Sequence, residues 1–130
     1  MPCKTSKRMH RTTSLWLLAL SLTTVGIVGC GEVEQYGNAV EEDATADIGA
    51  ILSTPASFDS MMVTVEGDIV TECPSGCWFE LGEEGRAIYV DIAPKGLAIP
   101  QRVGKRAVVH GQVVLRDSRP MIVGEGVEIH

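Results

Sequence analysis

The sequence predicts an all-β domain: a small five-stranded barrel preceded by one short helix. Three observations carry this. From Met62 onward, runs of alternating apolar and polar residues recur between turn residues. A glycine, Gly67, interrupts the first of these runs at its middle. Two connections, around Gly82 to Gly85 and at Asp117-Ser118, have the residue types of hairpin turns.

The elements follow in order. Asp47 is placed to cap a helix whose Ile48, Ile51 and Leu52 fall at helical spacing, and Pro55 ends it. The first strand, "MVTVEGDIVTE", sets Val63, Val65 and Ile69 on one face and Thr64, Glu66 and Asp68 on the other. Gly67 marks a bulge or bend there, and the expected reason is a backbone angle only glycine adopts freely. "CWFELG" is a short second strand. In the third, "GRAIYVDIA", Ile88, Val90 and Ile92 alternate with Tyr89 and Asp91. "PKGLAIPQRVG", with two prolines and two glycines, is a break. "KRAVVHGQVVLRD" and "RPMIVGEGVEIH" are the fourth and fifth strands.

Five strands, a bend in the first, a break after the third and a closing hairpin fit the Greek-key OB barrel. In that fold the first strand is long and bent so that it serves both sheets. The helix usual between strands three and four is reduced here to a loop or short turn around Pro94 to Val103. The domain is expected over residues 47–130.

The residues before it read differently. Met1 to Arg11 holds Lys4, Lys7, Arg8 and Arg11 and no acid, and "SLWLLALSLTTVGIVGC" follows. A basic head, an apolar run and small residues make an export signal, expected over residues 1–29. The run is too short and too interrupted for a membrane span. "IVGC", Ile27 to Cys30, resembles a bacterial lipobox. The resemblance implies cleavage before Cys30, a lipid on its sulfur, and a protein tethered to the cell envelope, at the outer membrane if the cell is Gram-negative. Residues 30–46 carry five acids and no basic residue, and read as a flexible, self-repelling tether.

Cleavage changes the arithmetic. The chain has 11 Lys+Arg and 17 Asp+Glu, net −6. Loss of four basic residues and no acid leaves 7 basic against 17 acidic, net −10. Such a chain is a poor match for nucleic acid. Its aromatic content, 5%, is also low for stacking bases. Arg102, Lys105 and Arg106 form a small basic cluster that reads as a solvated edge, and Glu83 and Glu84 as a solvated hairpin tip. No nucleophile–histidine–acid set and no phosphate-cradling loop is legible, so an enzyme is not expected.

Of the four cysteines, Cys3 leaves with the signal and Cys30 takes the lipid, so Cys73 and Cys77 remain. "CPSGCW" admits three readings. In an oxidising compartment the pair closes to a disulfide across a tight turn. Two thiolates also suit soft Cu(I) or Zn(II), with Met61, Met62, Met121 or His110 as further ligands, although none has a diagnostic spacing. His110 alternates outward with Gln112 and reads as a surface residue. Third, the pair exchanges with a redox partner, for which C-x3-C is a weak signature.

Further runs carry a resemblance. "AILSTPASFDSMMVTVEGDIV", Ala50 to Val70, looks like the opening of bacterial periplasmic OB domains. "CPSGCWFELGEEGRAIYVDI" resembles a family of small uncharacterised bacterial OB-fold proteins with a Gly-Cys-Trp motif, here Gly76, Cys77 and Trp78. "VGKRAVVHGQVV" is similar to that family's fourth strand. The likeness implies the fold and little function. The Cys73–Cys77 loop and the Arg116–Met121 loop are expected to meet at one end of the barrel, beside a ligand face with Trp78, Arg116, Arg119 and Met121. The function expected is a tethered module that binds an envelope protein or small ligand; a thiol-redox or soft-metal accessory is the alternative.

Overall fold

The structure, a computed structural model, describes residues 31–130; the expected signal segment and Cys30 lie outside the described residues. Among the described residues there are six strands: β1 (Glu34–Gly37), β2 (Met62–Glu72), β3 (Trp78–Glu83), β4 (Arg86–Asp91), β5 (Arg106–Arg116) and β6 (Arg119–Ile129). Two short helices, α1 (Ile48–Ser53) and α2 (Pro55–Phe58), stand between β1 and β2.

The last five strands close a ring. β2 pairs antiparallel with β3, β3 with β4, β6 with β5 and β5 with β2, and a parallel β4–β6 junction completes the circuit. This is the Greek-key OB connectivity that the strand pattern predicts. β2 serves both sheets. Met62 to Asp68 pair with β5, and Asp68 to Glu72 pair with β3. The change of partner falls beside Gly67, with a bulge between Ile69 and Thr71. Gly67 is not held at a left-handed angle. A Cβ there would lie 2.5 Å from the Gly82 carbonyl oxygen, so close approach of strands is what demands glycine.

Alternation works as elementary pleating requires. Val63, Val65, Ile69, Phe79, Leu81, Ile88, Val90, Val109, Val113, Ile122 and Val127 all point inward and are buried. Each fully buried side chain of this size contributes about 1.5–3 kcal/mol. Asp47 caps α1, its carboxylate accepting the Ala50 N–H at 2.8 Å. The cap turns Ile48 and Ile51 into the core at one end of the barrel. Pro55 both ends α1 and opens α2. At the other end Ile92 and Ile99, from the β4–β5 connection, join the core. That connection is one 3-10 turn, Ala93–Lys95, and loop, as expected.

Both hairpin turns are two residues with positive φ throughout: Glu84 and Gly85 at 50° and 77°, Asp117 and Ser118 at 51° and 64°. These are the primed turns that match strand twist.

Residues 30–46 are not wholly a loose tether. β1 pairs with β6 from Glu34↔Ile129 to Gly37↔Gly126. The reason is an open edge: β4 pairs with β6 only over Met121 to Val123. Beyond that, β6 needs another partner for its backbone groups. Glu34 locks the strand by a two-pronged ion pair to Arg102, 3.0 Å to Nε and 2.8 Å to Nη2. Asn38 donates to the Glu125 carbonyl at 2.8 Å, and Thr45 bridges Thr64.

This segment also alters the reading of His110. The residue does face outward from the barrel, as its alternation implies, but it is only 7% exposed. Its strand neighbours are Thr64 and Gly126. Thr64 donates its hydroxyl to the Glu41 carbonyl and lies 2.9 Å from His110 Nδ1. Residues 38–45 therefore cover it.

Candidate functional site

The Cys73–Cys77 turn is built from backbone geometry. Gly76 donates to the Cys73 carbonyl at 2.8 Å and sits at φ 72°. A Cβ on it would collide with the Ile99 backbone. Cys73 N–H reaches the Trp78 carbonyl at 2.9 Å, closing the turn onto β3. The β4–β5 connection clamps it from the side. The Ile99 N–H donates to Gly76 O at 3.1 Å, and the Gln101 amide donates to the carbonyls of Cys73 and Pro74 at 3.1 and 3.2 Å. The N–H groups of Ile92 and Ala93 both donate to Cys77 O at 3.2 Å.

This clamp places the sulfurs. Cys73 Sγ and Cys77 Sγ are 2.8 Å apart, nearer than non-bonded contact but beyond the roughly 2.05 Å of a disulfide. Both are free, half-buried thiols in this structure, so the expected disulfide is not formed in it. Ser75 Oγ is 3.1 Å from Cys73 Sγ and 3.6 Å from Cys77 Sγ. Hydrogen bonds from Cys77 and then Ser75 bring the Cys73 thiol down to about 6.

The further metal ligands are not assembled. Met61 and Met62 lie at the opposite end of β2, exposed. Met121 lies on β6 beside Tyr89, and His110 is enclosed under the N-terminal segment. Among the described residues no three His, Cys, Asp or Glu side chains gather as a metal set.

Nor do the two distinctive loops meet. Cys77 bonds to Ile92, just past the end of β4. The Asp117-Ser118 hairpin sits beside the start of β4, because Met121 pairs with Tyr89 in parallel. Strands that alternate in direction put these loops at opposite ends of the β3–β4 face. The separation is about five residues of strand, roughly 16 Å.

Beside the Asp117-Ser118 hairpin lies a groove on the outer face of β3, β4 and β6. Leu52, Glu80, Tyr89, Arg116, Arg119 and Met121 line it, around a volume of about 480 Å³. Tyr89, in its wall, stacks on Trp78, ring centres 5.3 Å apart and inclined 29°. Trp78 is thus a rim aromatic, while its neighbour Phe79 fills the core. Burial, and next the charge of Asp91, raises the Tyr89 hydroxyl pKa; Cys77 and Cys73 push the same way and Arg116 opposes them. Tyr89 therefore feels both the cysteine turn and the groove's Arg116. It is the site residue that the sequence reading left out, although its outward alternation opposite Ile88 and Val90 was legible.

A second concavity, about 510 Å³, lies between β2 and the β3–β4 hairpin. Its cations are already matched: Arg106 with Glu66 and Asp68 at 2.6 and 3.5 Å, Arg86 with Glu84 at 3.3 Å. Arg102, in the expected basic cluster, is bound by Glu34. Among the described residues Arg86, Arg102 and Arg106 are paired while Arg116 and Arg119 make no ion pair, so the groove holds the arginines with charge to offer.

Comparison with known proteins bears on the fold. No family model matches the chain, and no curated protein matches it. Among solved structures it is similar to that of the hypothetical protein ygiW from E. coli. Identity is 18%, the TM-score is 0.51, and the match covers 72% of this chain and 98% of that one. The neighbour is a bacterial protein described as hypothetical, and at this identity the likeness speaks for the fold alone. No helix among the described residues is long and apolar enough to cross a membrane.

Proposed function

We propose that the chain is a lipid-tethered module of the bacterial cell envelope that holds a partner protein or small ligand in the Tyr89 groove. The anchor rests on the basic head, the apolar run and "IVGC", with Cys30 the lipidated residue. The Gly76-Cys77-Trp78 motif supports kinship with small uncharacterised bacterial OB-fold lipoproteins. The reading is of a binding protein, not an enzyme, and its net charge argues against nucleic acid as the partner.

One observation carries it: the groove joins an aromatic stack to two cations without acidic partners, in a domain whose other arginines are paired. An anionic group would meet Arg116 and Arg119, and apolar groups would meet Tyr89 and Met121. Such concave, mostly preformed surfaces with a few convergent polar groups are the usual form of ligand sites.

The test is site-specific photo-crosslinking in cells. A photoreactive phenylalanine at Tyr89 should give discrete adducts, and the same residue at exposed Val103 should not. Equal labelling from both positions, or none from Tyr89, rejects the groove. A Cys30→Ser chain that still fractionates with membranes rejects the anchor.

The second reading, a thiol-redox accessory, is favoured by the 2.8 Å approach of the sulfurs. In an oxidising compartment such a pair closes to a disulfide. The soft-metal version, with copper or zinc on Cys73 and Cys77, has two thiols and no third ligand near them, and two rarely suffice.

A further inference from the structure

We propose that Cys73 and Cys77 form a thiol–disulfide exchange centre, with Cys73 the attacking sulfur and Cys77 the resolving one, whose substrate is a partner disulfide. This goes beyond partner holding, and it does not need the groove to be the docking surface.

Direction comes from the geometry. Cys73 Sγ has two close polar neighbours, the Cys77 thiol at 2.8 Å and Ser75 Oγ at 3.1 Å, and the one hydroxyl proton of Ser75 is nearer to it than to Cys77. From Cys77 Sγ the Ser75 hydroxyl is farther, 3.6 Å. A sulfur that receives donors is stabilised as the thiolate, which is the nucleophile. The influences that lower Cys73 are bonds from Cys77 and Ser75, opposed by burial, with no cation among them. The stabilisation is therefore hydrogen bonding within the turn. Closing the pair needs a side-chain adjustment and little backbone movement, because the clamp from Ile99 and Gln101 already holds the sulfurs together.

The chemistry balances. Cys73 thiolate attacks one sulfur of the partner disulfide. A bond forms to Cys73, the partner S–S bond breaks, and the electron pair leaves on the partner's second sulfur, which takes a proton from water. Cys77 loses its proton to solvent and attacks Cys73 Sγ. The mixed disulfide breaks and the partner's first sulfur leaves as a thiolate. The protein is oxidised by two electrons, and the partner disulfide becomes two thiols. The reverse, run by the oxidised protein on a dithiol, uses the same Cys73-linked intermediate.

Magnitude decides whether the effect is measurable. A thiol at about 6, against an ordinary value of 9.0, is mostly ionised at pH 6.5. Its thiolate fraction is higher by roughly 240-fold, and its lower basicity costs roughly 20-fold in nucleophilicity, which leaves about a tenfold advantage.

The test uses the full chain in detergent with Cys3→Ser and Cys30→Ser, so that only this pair reacts. The probe is 5,5′-dithiobis(2-nitrobenzoate). The reduced protein should release two thiolate equivalents, the first about tenfold faster at pH 6.5 than a free model thiol. Cys77→Ser, which keeps a hydroxyl donor, should release one and hold a mixed disulfide on Cys73 by mass spectrometry. Cys73→Ser should lose the fast phase. Ser75→Ala, which leaves both sulfurs in place, should move the pH–rate inflection upward. Equal rates for the two single-cysteine variants overturn the proposal. So does an inflection at the ordinary thiol range, or thiols that react only after a chelator removes zinc. Failure of crosslinking at Tyr89 would leave these results standing.

Discussion

The two loops at opposite ends of the β3–β4 face are built by opposite means. The Cys73–Cys77 turn is held from outside: five backbone and side-chain hydrogen bonds tie it to residues 92–101. The Asp117-Ser118 turn is held only by its own strands, two exposed residues at positive φ between β5 and β6. A clamped loop fixes atoms to tenths of an ångström, which bond exchange between sulfurs requires. A free hairpin tip lets Arg116 and Arg119 adjust, which suits capture of a partner. One end of the face is made for geometry and the other for accommodation.

The largest effect should come from breaking the clamped loop at its tightest point. Gly76→Ala adds a left-handed cost of about 1–2 kcal/mol and drives a Cβ into the Ile99 backbone. A loss of about 3 kcal/mol or more is expected, read as a drop in Tm of roughly 15 °C for a domain of this size. Gly85→Ala, also at positive φ but with nothing near its Cβ, should cost only the conformational part. Similar losses in the two would show that Ile99 yields and that the clamp is soft.

Gly67→Val comes next, because β2 carries the clamped loop. Its Cβ would meet Gly82 O at 2.5 Å and Leu81 at 3.1 Å, before either methyl is counted. The barrel must part where β2 changes sheets, at about 2–4 kcal/mol. Denaturant unfolding checks it; a variant as stable as the parent would show that β3 can slide away.

How legible this was depends on which force sets each feature. The five barrel strands, both hairpins and the Asp47 cap were readable because period-two burial and turn chemistry are local. Gly67 was read as special for the wrong reason, since its need is a neighbour 15 residues away at Gly82. β1 was not readable. Glu34 to Gly37 has no apolar alternation; what recruits it is an edge of β6 and the arginine at position 102. The cover over His110 follows from the same segment. For the site, the residues of both loops were legible and their relative placement was not. Trp78, Arg116, Arg119 and Met121 do lie along one face, but the register Tyr89↔Met121, which sends the loops to opposite ends, is a long-range fact.

Gln101→Ala removes the two bonds to the Cys73 and Pro74 carbonyls and nothing else on the turn. A loss of about 1–2 kcal/mol is expected. Cys73 should also show faster backbone hydrogen exchange in the variant, while Arg119, at the free end, should not change. An equal rise at both loops would mean that they are coupled and the contrast is false.

Acid should release β1 before the barrel. The Arg102 hydrogen bond is the main cause of the lowered Glu34 carboxyl pKa, against some opposing burial. A depressed folded value means that the pairing stabilises fully above the ordinary value of 4.5 and is lost as pH falls through the lowered one. The pair is about one-third exposed, so screening keeps the effect small. Hydrogen exchange at Tyr36 should quicken at pH 3 relative to pH 6, after correction for intrinsic rates. Glu34→Gln should abolish the difference; a change that persists in Glu34→Gln would assign it elsewhere.

The smallest effect should sharpen the free end. Asp117 and Ser118 sit at positive φ without a glycine between them, unlike Glu84-Gly85 in the sister hairpin. Ser118→Gly relieves the left-handed cost at one residue, but glycine also gives the unfolded chain more freedom, so the two terms oppose. A net gain of about 0.5 kcal/mol is expected, because primed two-residue turns favour Asp-Gly. The side chains of Arg116 and Arg119 are untouched, so any partner captured through Tyr89 should still crosslink with the same yield. If stability rises and crosslinking falls, the strain at Ser118 is what aims the two arginines, and the free hairpin is as geometrically committed as the clamped loop.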